Sequence, residues 1–193
     1  MGPKKSAAML QPSGMVERFG RCIAESAPGP VLDLACGSGR HSFFFASLGC
    51  TVVALDRDLS PFFLARSRMR NPEKSERRNR SDGLIVPLQI DLVGDPWPLG
   101  PSTLGAIVVV HFLLPGLFSH FADSLMPGGH LLIETVGGHG ANYMELPKSG
   151  QLRRALQSCF EFDFYQERKV GPAEIDAVAV RLIARKSREN NER

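Results

Sequence analysis

A glycine turn between two apolar segments contains the residues of this sequence whose types and spacing first suggest chemistry. The segment VLDLACGSGRHSFFFASLGCTVVALD spans residues 31–56, and Gly37 and Gly39 lie in its turn. Glycine-rich strand-to-helix turns are typical of sites where backbone N–H groups contact a phosphate. Here, however, the carboxylate of Asp33 lies just before the glycines, and it would repel a pyrophosphate. An ammonium or sulfonium group would be attracted instead, so the turn favours a ligand that carries positive charge.

The spacing of the turn also departs from the dinucleotide-binding fingerprint G-x-G-x-x-G. Gly37 and Gly39 match its first two glycines, but Ser42 stands where the third glycine would allow close packing of the helix on the strand. Ser42 and the nearby Asp33 together make a nicotinamide-dependent oxidoreductase the least favoured of the functions considered.

The elements that must position this turn alternate between strand and helix. Five short apolar segments are typical of buried strands, and helical segments separate them: VLDLA, TVVALD, LIVPLQID, LGAIVVVHFL and HLLIETV. Pro87 places the third strand at a sheet edge or in an irregular position, because proline cannot donate to the ladder. Two alternating segments, FEFDFYQERKV and DAVAVRLIARK, then predict an antiparallel pair joined by a loop with Gly171 and Pro172.

This order of elements predicts the fold class. We expect a Rossmann-like, doubly wound α/β fold with a mostly parallel seven-stranded sheet and an antiparallel C-terminal hairpin, arranged as a three-layer α/β/α sandwich. The 193 residues suffice for one domain with a sizeable core. The predicted domain is 13–186, with an N-terminal helix over 13–27 and a basic loop over 71–83. Tails are expected over 1–12 and 187–193.

The charge and the cysteines limit the location and the partners of the protein. The formal net charge is +3, and the basic residues concentrate in 66–80, which holds seven Lys or Arg and two Glu. No apolar segment has the length of a membrane helix or of a signal peptide, so we expect no membrane partner. The cysteines form no CxxC pair, which favours free thiols and a cytoplasmic location: they are Cys22, Cys36, Cys50 and Cys159.

Four segments in order give the sequence a family resemblance. VLDLACGSGRHSFFFA resembles motif I of the class I S-adenosylmethionine-dependent methyltransferases. VVALD and LQIDL are similar to that family's second and third strands, and SLMPGGHLLIE to its turn into strand five; the resemblance covers residues 28–186. ETVGGHGANYMELPKSGQLRRAL resembles a small bacterial branch of tellurite-resistance or thiopurine-type methyltransferases. The resemblance implies S-adenosyl-L-methionine as the cofactor and S-adenosyl-L-homocysteine as its product.

The resemblance also implies roles for the residues of the glycine turn. Asp33 would hold the methionine ammonium group directly or through water, while Gly37 and Gly39 would line the methionine and the ribose. Arg40, which opens the following helix, would meet the methionine carboxylate. For Asp33 the alternative is a structural one, in which its carboxylate only caps a turn.

Two further acidic positions follow the second and third predicted strands. The resemblance implies that Asp56 accepts hydrogen bonds from the ribose hydroxyls, and that Asp91 takes the adenine amino group with the Leu92 backbone nearby. The alternatives are that Asp56 starts an Asx-turn and Asp58 is the ligand, and that Asp95 takes the place of Asp91.

The acceptor side of the site is less clearly marked. His111 follows strand four and is the best candidate for a general base, with an ordinary hydrogen-bonded histidine as the alternative. No second residue in the sequence is placed to orient it. His139, Asn142 and Tyr143 lie in a glycine-rich segment after strand five, which is either a substrate loop or a plain surface loop. No His, Cys and carboxylate cluster has metal-ligand spacing, so no metal is expected.

The acceptor class follows from what strand four lacks. It carries HFLL where methyltransferases of adenine or glutamine nitrogen have [DN]-P-P-[FY], and the paired cysteines of cytosine C5 methyltransferases are missing. We therefore expect an enzyme that methylates a small molecule, with the branch suggesting a soft nucleophile such as S, Se or Te. One alternative is an RNA-directed methyltransferase docking through 66–80, although that segment lacks the aromatic residues that stack bases. Another is a binding module that keeps the cofactor without catalysis.

Overall fold

The computed structural model of the protein describes residues 11–69, 83–135 and 143–188. Seven strands form one sheet in the order β3-β2-β1-β4-β5-β7-β6. In chain order they are β1 (Val31–Leu34), β2 (Val52–Asp56), β3 (Ile85–Gln89), β4 (Leu104–Val110), β5 (Leu125–Glu134), β6 (Phe160–Lys169) and β7 (Val178–Lys186).

Helices alternate with the first five strands, except between β3 and β4, where the described residues 90–103 form turns and coil. The α-helices are α1 (Gly14–Ser26), α2 (Arg40–Ser47), α3 (Ser60–Met69), α4 (Phe118–Ser124) and α5 (Gln151–Leu156). Single 3₁₀ turns occupy Pro115–Leu117, Tyr143–Glu145 and Ala173–Ile175.

The strand directions confirm the predicted fold class. β2 pairs in parallel with both β1 and β3, and β4 pairs in parallel with β5. β7 pairs antiparallel with both β5 and β6, so the C-terminal hairpin closes a mixed, mostly parallel sheet. β3 lies at one edge of the sheet, which is where Pro87 is tolerated.

The chain divides into two compact units, which we call the first unit and the second unit. The first unit comprises 1–26 and 30–97, and the second comprises 27–29 and 98–193. The expectation of one domain over 13–186 stays a prediction. The predicted basic loop 71–83 lies outside the described residues except for Gly83, and most of each predicted tail lies outside them too.

The first unit is organised around β1 and β2. Both strands are largely buried because α2 packs against them, and Phe45 of α2 is fully buried. Phe62 of α3 is also fully buried and packs in a cluster with Cys36 and Leu59 near the carboxyl end of β1. Burying side chains of this size stabilises the fold by about 1.5–3 kcal/mol each. The glycine turn therefore rests on a closely packed base.

The second unit is organised around β4, all seven residues of which are buried, as expected for its β-branched run. β5 begins earlier than the sequence predicts, at Leu125 rather than His130. The reason is that Leu125 already pairs with Leu104, and the proline and glycines that follow form an irregularity within the strand. The segment between β4 and β5 accordingly forms only a 3₁₀ turn followed by the short helix α4.

Candidate functional site

The turn after β1 is held in an unusual backbone conformation. Ala35, Gly37 and Gly39 all have positive φ, at 55°, 53° and 77°. Between them, the Cys36 N–H donates to the Leu55 carbonyl at 2.9 Å and extends the contact between β1 and β2. Positive φ costs an L-residue roughly 1–2 kcal/mol but costs glycine little, which explains why Gly37 and Gly39 are glycines. Ala35 tolerates the strain because tertiary contacts fix the turn around it.

The two glycines of the turn have different reasons for being glycine. A Cβ added at Gly39 would come within 2.5 Å of the Phe62 ring, so Gly39 is needed for packing. A Cβ at Gly37 would meet no atom within 4 Å. Gly37 therefore faces open space, and it is the glycine that leaves room for a ligand to approach the backbone.

Asp33 lies on β1 with 1% of its surface exposed, and its carboxylate serves α2. Its Oδ2 accepts hydrogen bonds from the Ser42 N–H at 2.9 Å and from the Ser42 hydroxyl at 2.6 Å. A carboxylate that accepts from a first-turn N–H caps the helix and also favours the helix dipole. The capping alternative for Asp33 is thus present in the structure, and contact with a ligand ammonium group stays a prediction.

Ser42 and His41 are residues whose importance the sequence did not reveal. Ser42 stands in place of the third fingerprint glycine, and its two bonds to Asp33 give a physical reason for the replacement. His41 is buried with its Nδ1 3.6 Å from Asp33 Oδ1, while its Nε2 accepts from the Ser13 N–H at 3.3 Å. Because Nε2 accepts, the ring proton is on Nδ1 and faces the carboxylate. The D-x₇-H-S spacing was the available signal.

Asp56, the last residue of β2, is bonded to the glycine turn. Its Oδ2 accepts from the Gly37 N–H at 2.8 Å, and its Oδ1 accepts from the Asp58 N–H at 3.1 Å. The Asx-turn that was the alternative for Asp56 is therefore formed. Each carboxylate oxygen can accept more than one bond, so both retain capacity for a ligand hydroxyl.

Asp58 is exposed and caps the next helix. Its Oδ1 accepts from the Ser60 N–H at 2.9 Å, and this bond is the main reason that the pKa of Asp58 lies below its usual value. The carboxylate of Asp58 is therefore engaged with α3, whereas that of Asp56 is engaged with the open glycine. This arrangement favours Asp56 over Asp58 as the acid that would face a ligand.

Asp91 and Leu92 form a turn two residues beyond the end of β3. The Asp91 Oδ1 accepts from the Val93 N–H at 3.1 Å, and the Asp91 N–H donates to Asp95 Oδ2 at 2.9 Å. Both competing acids therefore belong to one turn, which Asp91 opens and Asp95 closes. Arg40 is half-buried and is the first residue of α2. Its contact with a methionine carboxylate stays a prediction.

Cys36 lies inside the turn and is buried among apolar side chains. Burial raises the pKa of its thiol well above the ordinary value, and the negative charges of Asp33 and Asp56 raise it further. A thiol held protonated is a poor nucleophile. Cys36 therefore fills space in the turn.

In the second unit, His111 follows β4 in a strained conformation. It is exposed, has φ 61°, and its N–H donates to the Glu134 carbonyl at 2.8 Å. Non-glycine residues in this region are concentrated at functional sites. Val110 pairs with Glu134, so His111 and Thr135 follow neighbouring parallel strands at the same edge of the second unit. Ligands of open α/β sheets bind at that edge.

The expected substrate loop is described only in part. His139 and Asn142 lie outside the described residues. Tyr143 opens a 3₁₀ turn, and its ring lies so close to Gly171 that a Cβ there would meet the ring at 2.7 Å. Tyr143 thus packs on the β6–β7 loop, and a substrate role for it stays a prediction.

Within 11–69, 83–135 and 143–188, no group of three or more His, Cys, Asp or Glu side chains is placed to hold a metal ion. In the same ranges, no helix combines the length and the apolar character needed to cross a membrane.

Sequence comparison relates the chain to methyltransferases. Residues 20–75 match the family model described as tellurite resistance protein TehB. The chain is 27% identical over 135 residues to the protein-L-isoaspartate O-methyltransferase of Xanthomonas campestris pv. campestris strain B100. That match covers 69% of this chain and 54% of the relative, so the chain spans about half the length of the curated relatives it matches.

Structure comparison agrees over more of the chain. A crystal structure of a SAM-dependent methyltransferase from Methanosarcina mazei superposes with a TM-score of 0.63 at 17% identity, covering 93% of this chain and all (100%) of that one. TehB from Haemophilus influenzae gives a TM-score of 0.60 at 19% identity, covering 90% of this chain and 61% of that one. The resemblance predicted from the sequence is confirmed: the chain has the fold of the class I S-adenosylmethionine-dependent methyltransferases and is similar to the TehB family over residues 20–75.

Proposed function

We propose that this protein is an S-adenosylmethionine-dependent methyltransferase that acts on a small molecule with a soft nucleophilic atom. The observation that carries the proposal is the pair formed by Gly37 and Asp56. The open side of Gly37 leaves space for a ligand, and the Asp56 carboxylate is fixed beside it by the Gly37 N–H at 2.8 Å. A carboxylate held in place next to an open backbone turn suits a ligand with vicinal hydroxyls.

Residues of the glycine turn and of the ends of β2 and β3 would bind the cofactor. S-adenosylmethionine, when bound, supplies a methyl group activated by its sulfonium charge. Asp56 would accept the ribose hydroxyls, and Asp91 with Leu92 would contact the adenine. Asp33 adds negative charge beneath the turn while it holds α2 through Ser42.

The charge of the methionine end decides two further roles. Arg40, at the start of α2, would pair with the methionine carboxylate. The buried charge of Asp33 favours a cationic over an anionic ligand, which argues against a pyrophosphate in this turn. These assignments come to this chain from the family resemblance and are supported by the placement of the residues around one turn.

Chemistry at the acceptor needs alignment more than proton transfer. Methyl transfer is an in-line displacement, and holding the two reactants in line provides much of the acceleration. A soft acceptor ionises readily, so His111 would orient or contact it without serving as an essential base. The TehB match supports a soft acceptor, and the four free cysteines support a reducing, cytoplasmic location.

Thermal unfolding with and without ligand tests the proposal. S-adenosylhomocysteine should raise the melting temperature in a concentration-dependent manner, because a ligand that binds only the folded state stabilises it. NAD and NADP serve as matched controls that share the adenosine group, and neither should raise it. Stabilisation by NAD without stabilisation by S-adenosylhomocysteine would contradict the proposal.

A further inference from the structure

A small cavity in the second unit is lined by side chains that suit an anion. Its volume is about 140 Å³, and its lining residues come from the end of β5 and from β6 and β7: Thr135, Gln166, Arg168, Ala179 and Arg181. A cavity of roughly 150 Å³ can hold a benzene molecule, so a carboxylate or a tetrahedral oxyanion fits.

The register of the hairpin explains why the cavity exists. Gln166 pairs with Arg181 and Arg168 pairs with Ala179, so all four side chains share one face of the sheet. Ala179 is the one small side chain among three long ones, so it leaves space between them. The fifth lining residue, Thr135, is held at the cavity because its N–H donates to the Val180 carbonyl at 2.9 Å.

One of the two arginines is anchored at its Nε. Arg181 Nε donates to Glu134 Oε1 at 2.8 Å; the Glu134 side chain is only 6% exposed, whereas that of Arg181 is 56% exposed. That bond uses one edge of the guanidinium and leaves its terminal nitrogens for another acceptor. A planar guanidinium held in this way is suited to carboxylates and oxyanions, because little freedom is lost when they bind.

The charged side chains that line the cavity are both cationic. They are Arg168 and Arg181, and Arg181 is bonded to the carboxylate of Glu134. Glu134 Oε2 is buried without a hydrogen-bond partner among the described residues. Glu134 is a positioning residue for the cavity, because its other carboxylate oxygen bonds Arg181.

The position of the cavity connects it with the reaction. Thr135 directly follows β5, and His111 directly follows the neighbouring strand β4. We propose that this cavity binds an anionic group of the methyl acceptor, either a carboxylate or a tetrahedral oxyanion. The acceptor would thus carry a soft nucleophile together with a negative charge. This assignment rests on the proposed methyltransferase function, whereas anion binding in the cavity can be measured without it.

The test is an NMR titration of the full chain with sodium acetate and, separately, with sodium phosphate at constant ionic strength. The backbone amide signals of Ala179, Arg181 and Thr135 should shift and saturate with at least one of the two anions. Saturation with acetate alone identifies a carboxylate site, and saturation with phosphate alone identifies an oxyanion site. Signals that shift with neither anion, or without saturating, would overturn the proposal.

Three variants give the titration its controls. Ala179→Leu fills the cavity without changing the charge, and Arg181→Gln removes the oriented guanidinium; each should weaken anion binding at least tenfold. Arg21→Gln makes the same charge change on the exposed face of α1 and should leave binding unchanged. Equal weakening by Arg21→Gln and Arg181→Gln would reduce the effect to net charge and overturn the proposal.

The same samples separate this inference from the proposed function. S-adenosylhomocysteine is added at the end of each titration, and the melting temperature is recorded. Stabilisation by S-adenosylhomocysteine without anion binding in the cavity refutes the anion site alone. Anion binding without stabilisation by S-adenosylhomocysteine refutes the methyltransferase assignment and leaves an anion site that serves another reaction.

Discussion

The carboxyl ends of the strands differ sharply between the two units. In the first unit, Asp33 bonds Ser42 of α2 and Asp56 bonds Gly37 of the glycine turn, and the two acids are 23 residues apart in the sequence. In the second unit, Glu134 bonds Arg181, which lies 47 residues away, and its other carboxylate oxygen has no partner among the described residues. The site in the first unit is built from neighbouring segments, and N–H groups of those segments donate to both carboxylates. The site in the second unit is built from distant strands and contains a carboxylate oxygen without a hydrogen-bond partner among the described residues.

This difference is what we expect if the first unit binds a cofactor common to many enzymes and the second unit binds a particular methyl acceptor. A ligand common to many enzymes can be bound by a local motif whose polar groups fix one another. A particular methyl acceptor requires side chains that can pair with its own groups. These side chains come from the strands that meet at the carboxyl ends of the parallel strands. We therefore expect the two units to respond differently when an acid is replaced by its amide.

A large effect is expected on the stability of the first unit. In Asp33→Asn the amide presents N–H groups to the Ser42 or His41 donors that now face a carboxylate, so a buried donor loses its acceptor. We expect a loss of about 2–3 kcal/mol in the free energy of unfolding, measured by urea denaturation. Glu134→Gln is the matched change in the second unit, where the carbonyl oxygen can still accept from Arg181. Its expected cost is about 1 kcal/mol or less. Equal losses of stability in the two variants would contradict the difference between the two units.

The two glycines sharpen the contrast between packing and binding. Gly39→Ala places a methyl group 2.5 Å from the Phe62 ring at φ 77°, so it should cost about 2–4 kcal/mol of stability. Gly37→Ala meets no atom and should cost only the backbone strain of about 1–2 kcal/mol. The ligand effect should be reversed: of the two variants, the folded Gly37→Ala protein should bind S-adenosylhomocysteine more weakly. Calorimetric titration compares them, and a Gly37→Ala protein with unchanged affinity would show that the open side is not the ligand side.

His111 tests the need for a base. If the acceptor is soft, His111→Ala should lower kcat by less than about tenfold while S-adenosylhomocysteine binding is unchanged. Turnover is measured with labelled S-adenosylmethionine and the acceptor identified by its labelled product. A loss of about a hundredfold or more would instead indicate general-base methylation of a hydroxyl or a similar group.

The smallest effect is expected at Cys36. Cys36→Ala removes a buried sulfur from the cluster with Leu59 and Phe62, at a cost of about 1 kcal/mol, and should leave kcat unchanged. Loss of turnover in a folded Cys36→Ala protein would return the thiol to consideration as a nucleophile. Exposed Cys22 is the matched control for alkylation of the folded protein, and it should react while Cys36 does not.

The sequence predicted more of the first unit than of the second. The alternation of apolar strands and helices predicted the sheet, and Pro87 its edge, because both are local signals. The placement of Gly37 and Asp56 side by side followed from the motif. The pairing of Asp33 with Ser42 was not predicted, since the D-x₇-H-S spacing acquires its meaning only when the strand and the helix are packed together.

The cavity of the second unit could not be predicted from sequence. It depends on the register that puts Arg168 opposite Ala179 and on the contact of Glu134 with Arg181, and neither is a property of one segment. The backbone contact between His111 and Glu134 has the same cause: the His111 N–H reaches the Glu134 carbonyl because β4 and β5 are neighbours. In the sequence alone, these residues are widely separated and nothing links them.

The most direct measurement of the central claim is calorimetric titration of S-adenosylhomocysteine into the wild-type protein, Asp56→Ala and Asp58→Ala. Asp56 is bonded to the open glycine, whereas Asp58 caps α3, and the two acids are two residues apart. We predict that Asp56→Ala weakens binding by roughly 10- to 150-fold, the loss of about 1.5–3 kcal/mol expected for charge-assisted bonds. Asp58→Ala should leave the affinity within about twofold of wild type. Equal weakening in both variants, or a larger loss in Asp58→Ala, would contradict the account.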